Sequence, residues 1–191
     1  MNIKMKKVYN KFSTCVLAAF TGLLVLPGCS SDDDAPTPAS TAQSSITAKV
    51  NNADWASSKG SFKLGTRTVS NGASAFTEPG DTLTIIGVQV QGADTTAIVL
   101  SVKLDEDKVG TYRLGGGTDA KGKGYFLTRI SNGALEETKA RYEGGISNGE
   151  LQITEYNAAD YSVSGSFGFS MSVPEETTYT VVAGKIEDVT F

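Results

Sequence analysis

Histidine is absent from the 191 residues, and cysteine occurs only at Cys15 and Cys29. The lack of an imidazole excludes Ser-His and Cys-His catalysis together with histidine-bound metal sites. No uninterrupted apolar run approaches the roughly 20 residues that a membrane-spanning helix needs. The longest apolar stretch, residues 15–26, is short and is broken by Thr21 and Gly22. The sequence therefore argues against a transmembrane protein and against the commonest nucleophilic enzymes.

A basic head followed by a short apolar body is typical of a secretory signal. The head contains no acid and four lysines: Lys4, Lys6, Lys7 and Lys11. The apolar body ends in Leu26, Pro27, Gly28 and Cys29, which resemble a bacterial lipobox, although proline is not the commonest residue at its place. An ordinary signal peptidase site would not require the cysteine. We predict that residues 1–28 are a lipoprotein signal peptide and that Cys29 is acylated, because several acyl chains make a stable membrane anchor.

Positive charge is scarce, with 17 Lys and Arg against 21 Asp and Glu and a formal net charge of −4. Cleavage after Gly28 would remove four lysines and no acid, so the remaining chain would be more acidic still. An acidic surface repels nucleic acid and anionic headgroups, so we expect no nucleic-acid partner. Loss of Cys15 and acylation of Cys29 would leave neither a thiol nor a disulfide.

Residues 29–44 have the composition of a flexible tether. They include Asp32, Asp33 and Asp34, two prolines and many serines, but no aliphatic residue larger than alanine. Such a segment cannot bury enough apolar surface to fold. As a coil of about 15 residues it would span roughly 20 Å, which would hold the following domain clear of the lipid.

Residues 45–191 read as one domain built of strands. In residues 163–173, one parity holds Val163, Phe167, Phe169, Met171 and Val173, with Gly165 among them, and serines and a glycine occupy the other. Such alternation predicts a strand with one face packed and one face in water. Similar runs occur at residues 46–50, 61–69, 82–90, 95–102, 111–114, 125–130, 150–156 and 178–183.

Residues typical of tight turns separate these runs. Ser-Asn-Gly occurs at 70–72, 131–133 and 147–149, and residues 157–160 predict a further hairpin turn. Only residues 134–141 favour a helix by composition, and a bent strand or loop is equally open. We therefore predict an all-β fold, a single antiparallel β-sandwich or flattened barrel of about 8–10 strands.

The motifs ITAKVNNADW, TLTIIGVQV, GTYRL and GELQITEYNAADYSVSGSFGF, together with a lipobox followed by SDDD, resemble a family of uncharacterised lipoproteins of Bacteroidota. The resemblance covers most of residues 46–191 and implies a fold and a location in the envelope, but no activity. In that phylum, acids just after the lipidated cysteine resemble a signal for surface export, which would be Asp32, Asp33 and Asp34. Thr82 and Thr95, each preceded by an aspartate, resemble O-glycosylation acceptors, although Asp-Thr at a strand start is also ordinary turn chemistry.

Two loop motifs resemble ligand-binding sites, but we interpret both as ordinary loops. Gly117, Gly122 and Lys123 fit the spacing of a phosphate-binding loop, but Gly124 stands where a magnesium-binding hydroxyl is needed and a strand is predicted to follow. We expect no nucleotide there. Asp105, Glu106 and Asp107 offer oxygens to calcium but lack the spacing of a calcium loop, so a solvated acidic turn is expected. No cofactor or metal is predicted.

Trp55 is the sole tryptophan, and it either stacks on a sugar from the surface or, as we favour, fills the core beside the turn at Asn51 and Asn52. A pair of carboxylates that hydrolyses glycosides remains a weaker option, because 21 acids will always place some pair at a suitable distance.

We therefore expect a non-catalytic binding module for a glycan, a protein or a small ligand, anchored by lipid in the outer membrane and facing outward. The alternative is a structural subunit of a surface complex or fibre, in which an exposed sheet edge accepts a partner's strand.

Overall fold

The computed structural model describes residues 43–128, 147–172 and 178–191, and the predicted all-β fold is confirmed there. These residues belong to a compact unit that spans Ser40–Phe191. The described strands are β1 (Ser45–Val50), β2 (Ala53–Ala56), β3 (Phe62–Leu64), β4 (Arg67–Val69), β5 (Ala73–Glu78), β6 (Thr82–Gln91), β7 (Asp94–Lys103), β8 (Gly110–Leu114), β9 (Gly122–Leu127), β10 (Ser147–Asn157), β11 (Ser162–Met171) and β12 (Tyr179–Thr190).

Ten of the described strands form one curled sheet in the order β2-β1-β12-β11-β10-β8-β9-β7-β6-β5. All neighbours are antiparallel except β8 and β9, which run parallel where Leu114 pairs with Gly122. The sheet curls far enough for β2 to contact β6 and for β5 to contact β12. This half-closed shape is nearer to the flattened barrel than to a sandwich of two equal sheets.

The concave face of the curled sheet encloses the main hydrophobic core. Its largest fully buried side chains include Tyr112, Ile46, Leu83, Ile85, Ile98, Leu100, Leu151, Ile153, Met171 and Ile186. They come from seven of the ten strands of the sheet, because a strand turns alternate residues to the same face. Burial of this apolar surface is the main stabilising contribution to the fold.

A second core lies on the opposite face of β6, β7 and β9, under the small sheet formed by β3 and β4. Val69, Ile86, Val88, Ala97 and Leu127 are buried there. The guanidinium of Arg67 lies 5.3 Å from the ring centroid of Phe76 and pairs with the carboxylate of Glu78, which ties β4 to β5. Strand β6 is therefore covered on both faces, which explains why residues 83–88 are buried without interruption.

The late hairpin has the predicted alternation. Val163, Phe167, Phe169 and Met171 are at most 5% exposed, whereas Ser166 is exposed. Strand β10 pairs with β11 through the predicted turn at residues 157–160. The packed face of β11 is thus confirmed at these four residues, and residue 173 lies outside the described part of the chain.

Several predicted boundaries were wrong. The run at 61–69 is two strands, β3 and β4, because Gly65 adopts a positive φ of 61° between them. The motif at 147–149 opens β10 rather than making a turn, and a Cβ on Gly149 would lie 2.1 Å from the carbonyl oxygen of Gly168. Glycine is therefore needed there for close strand approach rather than for a turn. Strands β2 and β5 were not predicted.

The signal peptide, Cys29, the three aspartates and most of the tether fall at residues 1–42, outside the described residues. The predicted turn at 131–133 and the segment at 134–141 also lie outside the described residues. Within the described ranges no helix has the length and apolar character needed to cross a membrane.

Candidate ligand-binding site

Trp55 lies in the main core and is only 4% exposed. Asn51 and Asn52, with φ of 48° and 68°, form the tight turn that brings β2 back along β1 and so carries Trp55 inward. The indole N–H donates a 2.8 Å hydrogen bond to the hydroxyl of Thr96 on β7. A ring held in this way offers no face to a sugar, so the stacking alternative for Trp55 does not fit its burial.

A shallow groove of about 410 Å³ runs beside Trp55, between the β1–β2 pair and β6. An ion pair crosses its rim, with the Lys49 ammonium 2.7 Å from the Asp54 carboxylate. The hydrogen bond from Lys49, and then its charge, lower the pKa of Asp54. The groove is otherwise lined by short side chains such as Thr47, Ala48 and Ala183. Among the described residues that line it, Trp55 is the one ring, and its 4% exposure leaves no face for a ligand. Asp54 is the one carboxylate in this lining, so it does not form the carboxylate pair that hydrolyses glycosides.

The acidic turn at Asp105 is tied into the fold by an ion pair. Both carboxylate oxygens of Asp105 accept hydrogen bonds from Lys121, at 2.5 and 2.6 Å. Glu106 and Asp107 are exposed. In the described part of the chain, no group of three or more Asp, Glu, Cys or His side chains has the arrangement of a metal site.

The glycine-rich segment at 117–124 leads into a strand. Gly122, Lys123 and Gly124 already belong to β9, where Gly122 pairs with Val102 of β7. A phosphate-binding loop needs a following helix whose N-terminal amides face the phosphates. In this chain, the residues that would open such a helix instead form strand β9 and pair with β7.

Thr82 and Thr95 lie near the starts of β6 and β7, and both residues are half-buried. Asp81 precedes Thr82 with a φ of 58°, and its carbonyl oxygen accepts a hydrogen bond from the N–H of Leu104. Asp81 is thus a turn residue, as Asp-Thr turn chemistry suggests. Glycosylation of either threonine stays a prediction.

Aromatic rings meet at the end of the sheet where β12 terminates. Tyr156 stacks on Phe191 with centroids 5.1 Å apart and planes at 30°, and Tyr161 meets Phe191 at 5.9 Å and 82°. The ammonium of Lys108 lies 4.9 Å from the centroid of Tyr156, within range of a cation–π interaction. We call Lys108, Tyr156, Phe191 and Tyr161 the aromatic row.

Tyr161 is the most exposed member of the aromatic row. Tyr156 and Phe191 are partly buried against the main core, but Tyr161 is 60% exposed. Val109, next to Lys108, is 47% exposed. Most large apolar side chains of a folded domain find cover, so two exposed ones beside stacked rings mark a surface suited to contact with another molecule.

Two loops hold the aromatic row in place. The N–H of Phe191 donates a 2.8 Å hydrogen bond to the carbonyl oxygen of Tyr161, in the turn between β10 and β11. The buried Tyr112 hydroxyl donates to the carbonyl oxygen of Lys108 at 2.9 Å, in the loop between β7 and β8. Tyr161 and Lys108 both have positive φ, 53° and 58°, a conformation uncommon for such residues.

The aromatic row lies at the end where the described chain enters the domain. The hydroxyl of Ser44 donates a 2.8 Å hydrogen bond to the carbonyl oxygen of Asp188, two residues before the end of β12. The sequence reasoning missed this site, because Tyr156 and Tyr161 were two tyrosines among several. The useful signal was a large aromatic residue inside a hairpin turn otherwise made of Asn, Ala and Asp.

The chain belongs to the family described as Domain of unknown function (DUF6252), whose sequence profile matches residues 65–190. The match begins at the turn between β3 and β4 and includes the loops that carry Lys108 and Tyr161. Comparison with curated proteins and with solved structures gives no match.

Proposed function

We propose that the chain is a lipid-anchored envelope lipoprotein of the kind found in Bacteroidota, and that its domain is a non-catalytic binding module. The basic head, the short apolar body and Cys29 support the lipid anchor. Asp32, Asp33 and Asp34 support display on the outer face of the outer membrane, through their resemblance to an export signal.

The observation that carries the binding role is the aromatic row with its exposed Tyr161. A ring that is 60% exposed, and whose backbone is hydrogen-bonded into an uncommon conformation, contributes little to folding. Exposed aromatic groups of that kind supply much of the binding energy at recognition surfaces.

The short edge strands of the curled sheet favour a binding role over a role as a subunit of a fibre or assembly. The edge strands of the curled sheet, β2 and β5, have four and six residues. Strand addition to a partner requires an edge long enough to form a continuous backbone ladder. We therefore place the contact surface at the end of the sheet rather than along its edge.

The test is affinity capture from intact cells that express tagged protein, after cross-linking, with bound material identified by mass spectrometry and by sugar analysis. The wild type is compared with Tyr161→Ala and with Val90→Ala, which trims another exposed apolar residue on β6. We expect one component to be enriched with the wild type and with Val90→Ala, and lost with Tyr161→Ala. Equal recovery from all three proteins would contradict the proposed binding role.

A further inference from the structure

We propose that the aromatic row binds a neutral carbohydrate chain, with a sugar ring packed on Tyr161. This inference rests on the proposed binding role and names its ligand class. A pyranose has an apolar C–H face and a rim of hydroxyls, so its site must combine an exposed ring with hydrogen-bonding side chains. The end of the sheet at which β12 terminates provides both.

The ring of Tyr161 is presented for stacking. Its contact with Phe191 is at 82°, so the two rings do not lie face to face and the tyrosine remains 60% exposed. The stacked pair of Tyr156 and Phe191 continues the apolar surface toward Lys108. The Tyr156 ring already contacts Phe191 and Lys108, so Tyr161 is the ring on which a sugar unit can pack.

The site is ordered before a ligand arrives. The hydrogen bond from the N–H of Phe191 fixes the backbone of Tyr161, and the hydroxyl of Tyr112 fixes that of Lys108. Ordering a loop on binding costs affinity, and a loop that is already fixed avoids this cost. Uncommon backbone conformations such as those of Tyr161 and Lys108 are concentrated at binding sites.

The charges beside the aromatic row select the ligand. Glu106 and Asp107 directly precede Lys108, and Asp160 directly precedes Tyr161. None of these three acids forms an ion pair with a described residue, although Asp160 accepts a 2.6 Å hydrogen bond from the Asn157 amide. Against the single ammonium of Lys108, the three acids leave a net negative charge beside the aromatic row. Their oxygens accept hydrogen bonds from hydroxyls but repel phosphate, sulfate and uronate. A neutral sugar therefore fits this surface better than an anionic glycan or a bilayer with anionic headgroups.

The experiment uses the full-length protein in detergent and an array of neutral hexose and N-acetylhexosamine oligosaccharides, with sulfated and uronate chains beside them. Calorimetry on a bound neutral oligosaccharide then compares the wild type with Tyr161→Ala, Tyr161→Phe and Val90→Ala. We expect neutral chains alone to bind, with roughly tenfold weaker binding for Tyr161→Ala, the equivalent of one stacking contact. Tyr161→Phe keeps the ring and should bind within about threefold of the wild type, as should Val90→Ala.

Three results would overturn the inference: no bound neutral glycan, a preference for anionic chains, or undiminished binding by Tyr161→Ala. The glycan array uses the wild type alone, so its outcome keeps the inference open to contradiction if the alanine variant does not fold. Capture of a protein through Tyr161, without any glycan binding, would overturn the carbohydrate inference and leave the binding role in place. Absence of any Tyr161-dependent ligand would overturn both.

Discussion

The indole N–H of Trp55 on β2 donates a 2.8 Å hydrogen bond to the hydroxyl of Thr96 on β7. Strand β2 is one edge of the curled sheet and β7 is the third strand from the other edge, so this bond joins distant parts of the sheet across the core. Trp55 also lies against β6, where a Cβ on Gly87 would come within 3.0 Å of its ring. The contact thus helps to hold the sheet in its half-closed form.

Removal of the Thr96 hydroxyl should therefore destabilise the fold. We expect Thr96→Val to lower the free energy of unfolding by about 1–3 kcal/mol, because it leaves the buried indole N–H without an acceptor. Urea titration followed by Trp55 fluorescence measures the change. Thr95→Val is the matched control, since the hydroxyl of Thr95 makes no hydrogen bond with the described residues. Equal stability of the two variants would show that the bond contributes nothing.

Substitutions on the buried face of β11 should lower the free energy of unfolding far more than substitutions on its solvent-exposed face. Phe167 is 5% exposed and its ring lies 6.4 Å from that of Phe169. We expect Phe167→Ala to cost about 3–5 kcal/mol in the free energy of unfolding, through lost burial and a cavity. Ser166→Ala, one residue away on the exposed face, should cost less than about 0.5 kcal/mol. Similar losses at both positions, measured by chemical denaturation, would contradict the assignment of the faces.

The alternation that defines β11 was visible in the sequence because one face is strongly apolar and the other is mostly serine. Strand β5 gave no such signal, since its packed residues Ala73 and Ala75 are small and the serine between them, Ser74, is buried as well. The aromatic row was beyond sequence reasoning for another reason. Only the long-range pairing of β11 with β12 brings Phe191 next to Tyr161.

One carboxylate near the start of β1 links stability to pH. Hydrogen bonds from Lys185 and then from Ser45 lower the pKa of Glu187 below its ordinary value of 4.5. A lowered folded-state pKa contributes stability that is present above the unfolded pKa and is lost as the pH falls through the folded pKa. We expect Lys185→Ala to raise the pKa of Glu187 in an NMR titration and to flatten the acid limb of stability below about pH 4.5. An unchanged titration curve would contradict this.

Substitution of Cys29 tests whether this residue is acylated. A serine at this position cannot be acylated at sulfur or recognised as a lipobox cysteine, so Cys29→Ser should leave a precursor that retains residues 1–28. We expect a slower band on gels and a shift from the detergent phase to the aqueous phase in a phase-separation assay. A variant that still enters the detergent phase with unchanged mobility would show that the anchor does not depend on Cys29.

The three aspartates behind Cys29 are the last feature that needs a test. From the composition of their segment we expect them to have no role in folding, because it contains too little apolar surface to bury, and anionic headgroups repel them. A polar spacer of any kind would serve solubility equally well. We propose instead that Asp32, Asp33 and Asp34 are recognised by export machinery, which places the domain outside the cell with its aromatic row available to glycans.

Protease treatment of intact cells tests both the location and its cause. We expect wild-type protein to be cleaved while the outer membrane is intact, and the variant with all three aspartates changed to alanine to be cleaved only after the membrane is broken. A matched variant with Ser30 and Ser31 changed to alanine should behave as the wild type, because it keeps the acids and alters their neighbours. Wild-type protein that resists protease would contradict surface display itself. A triple variant cleaved as readily as the wild type would preserve surface display and exclude the aspartates as its signal.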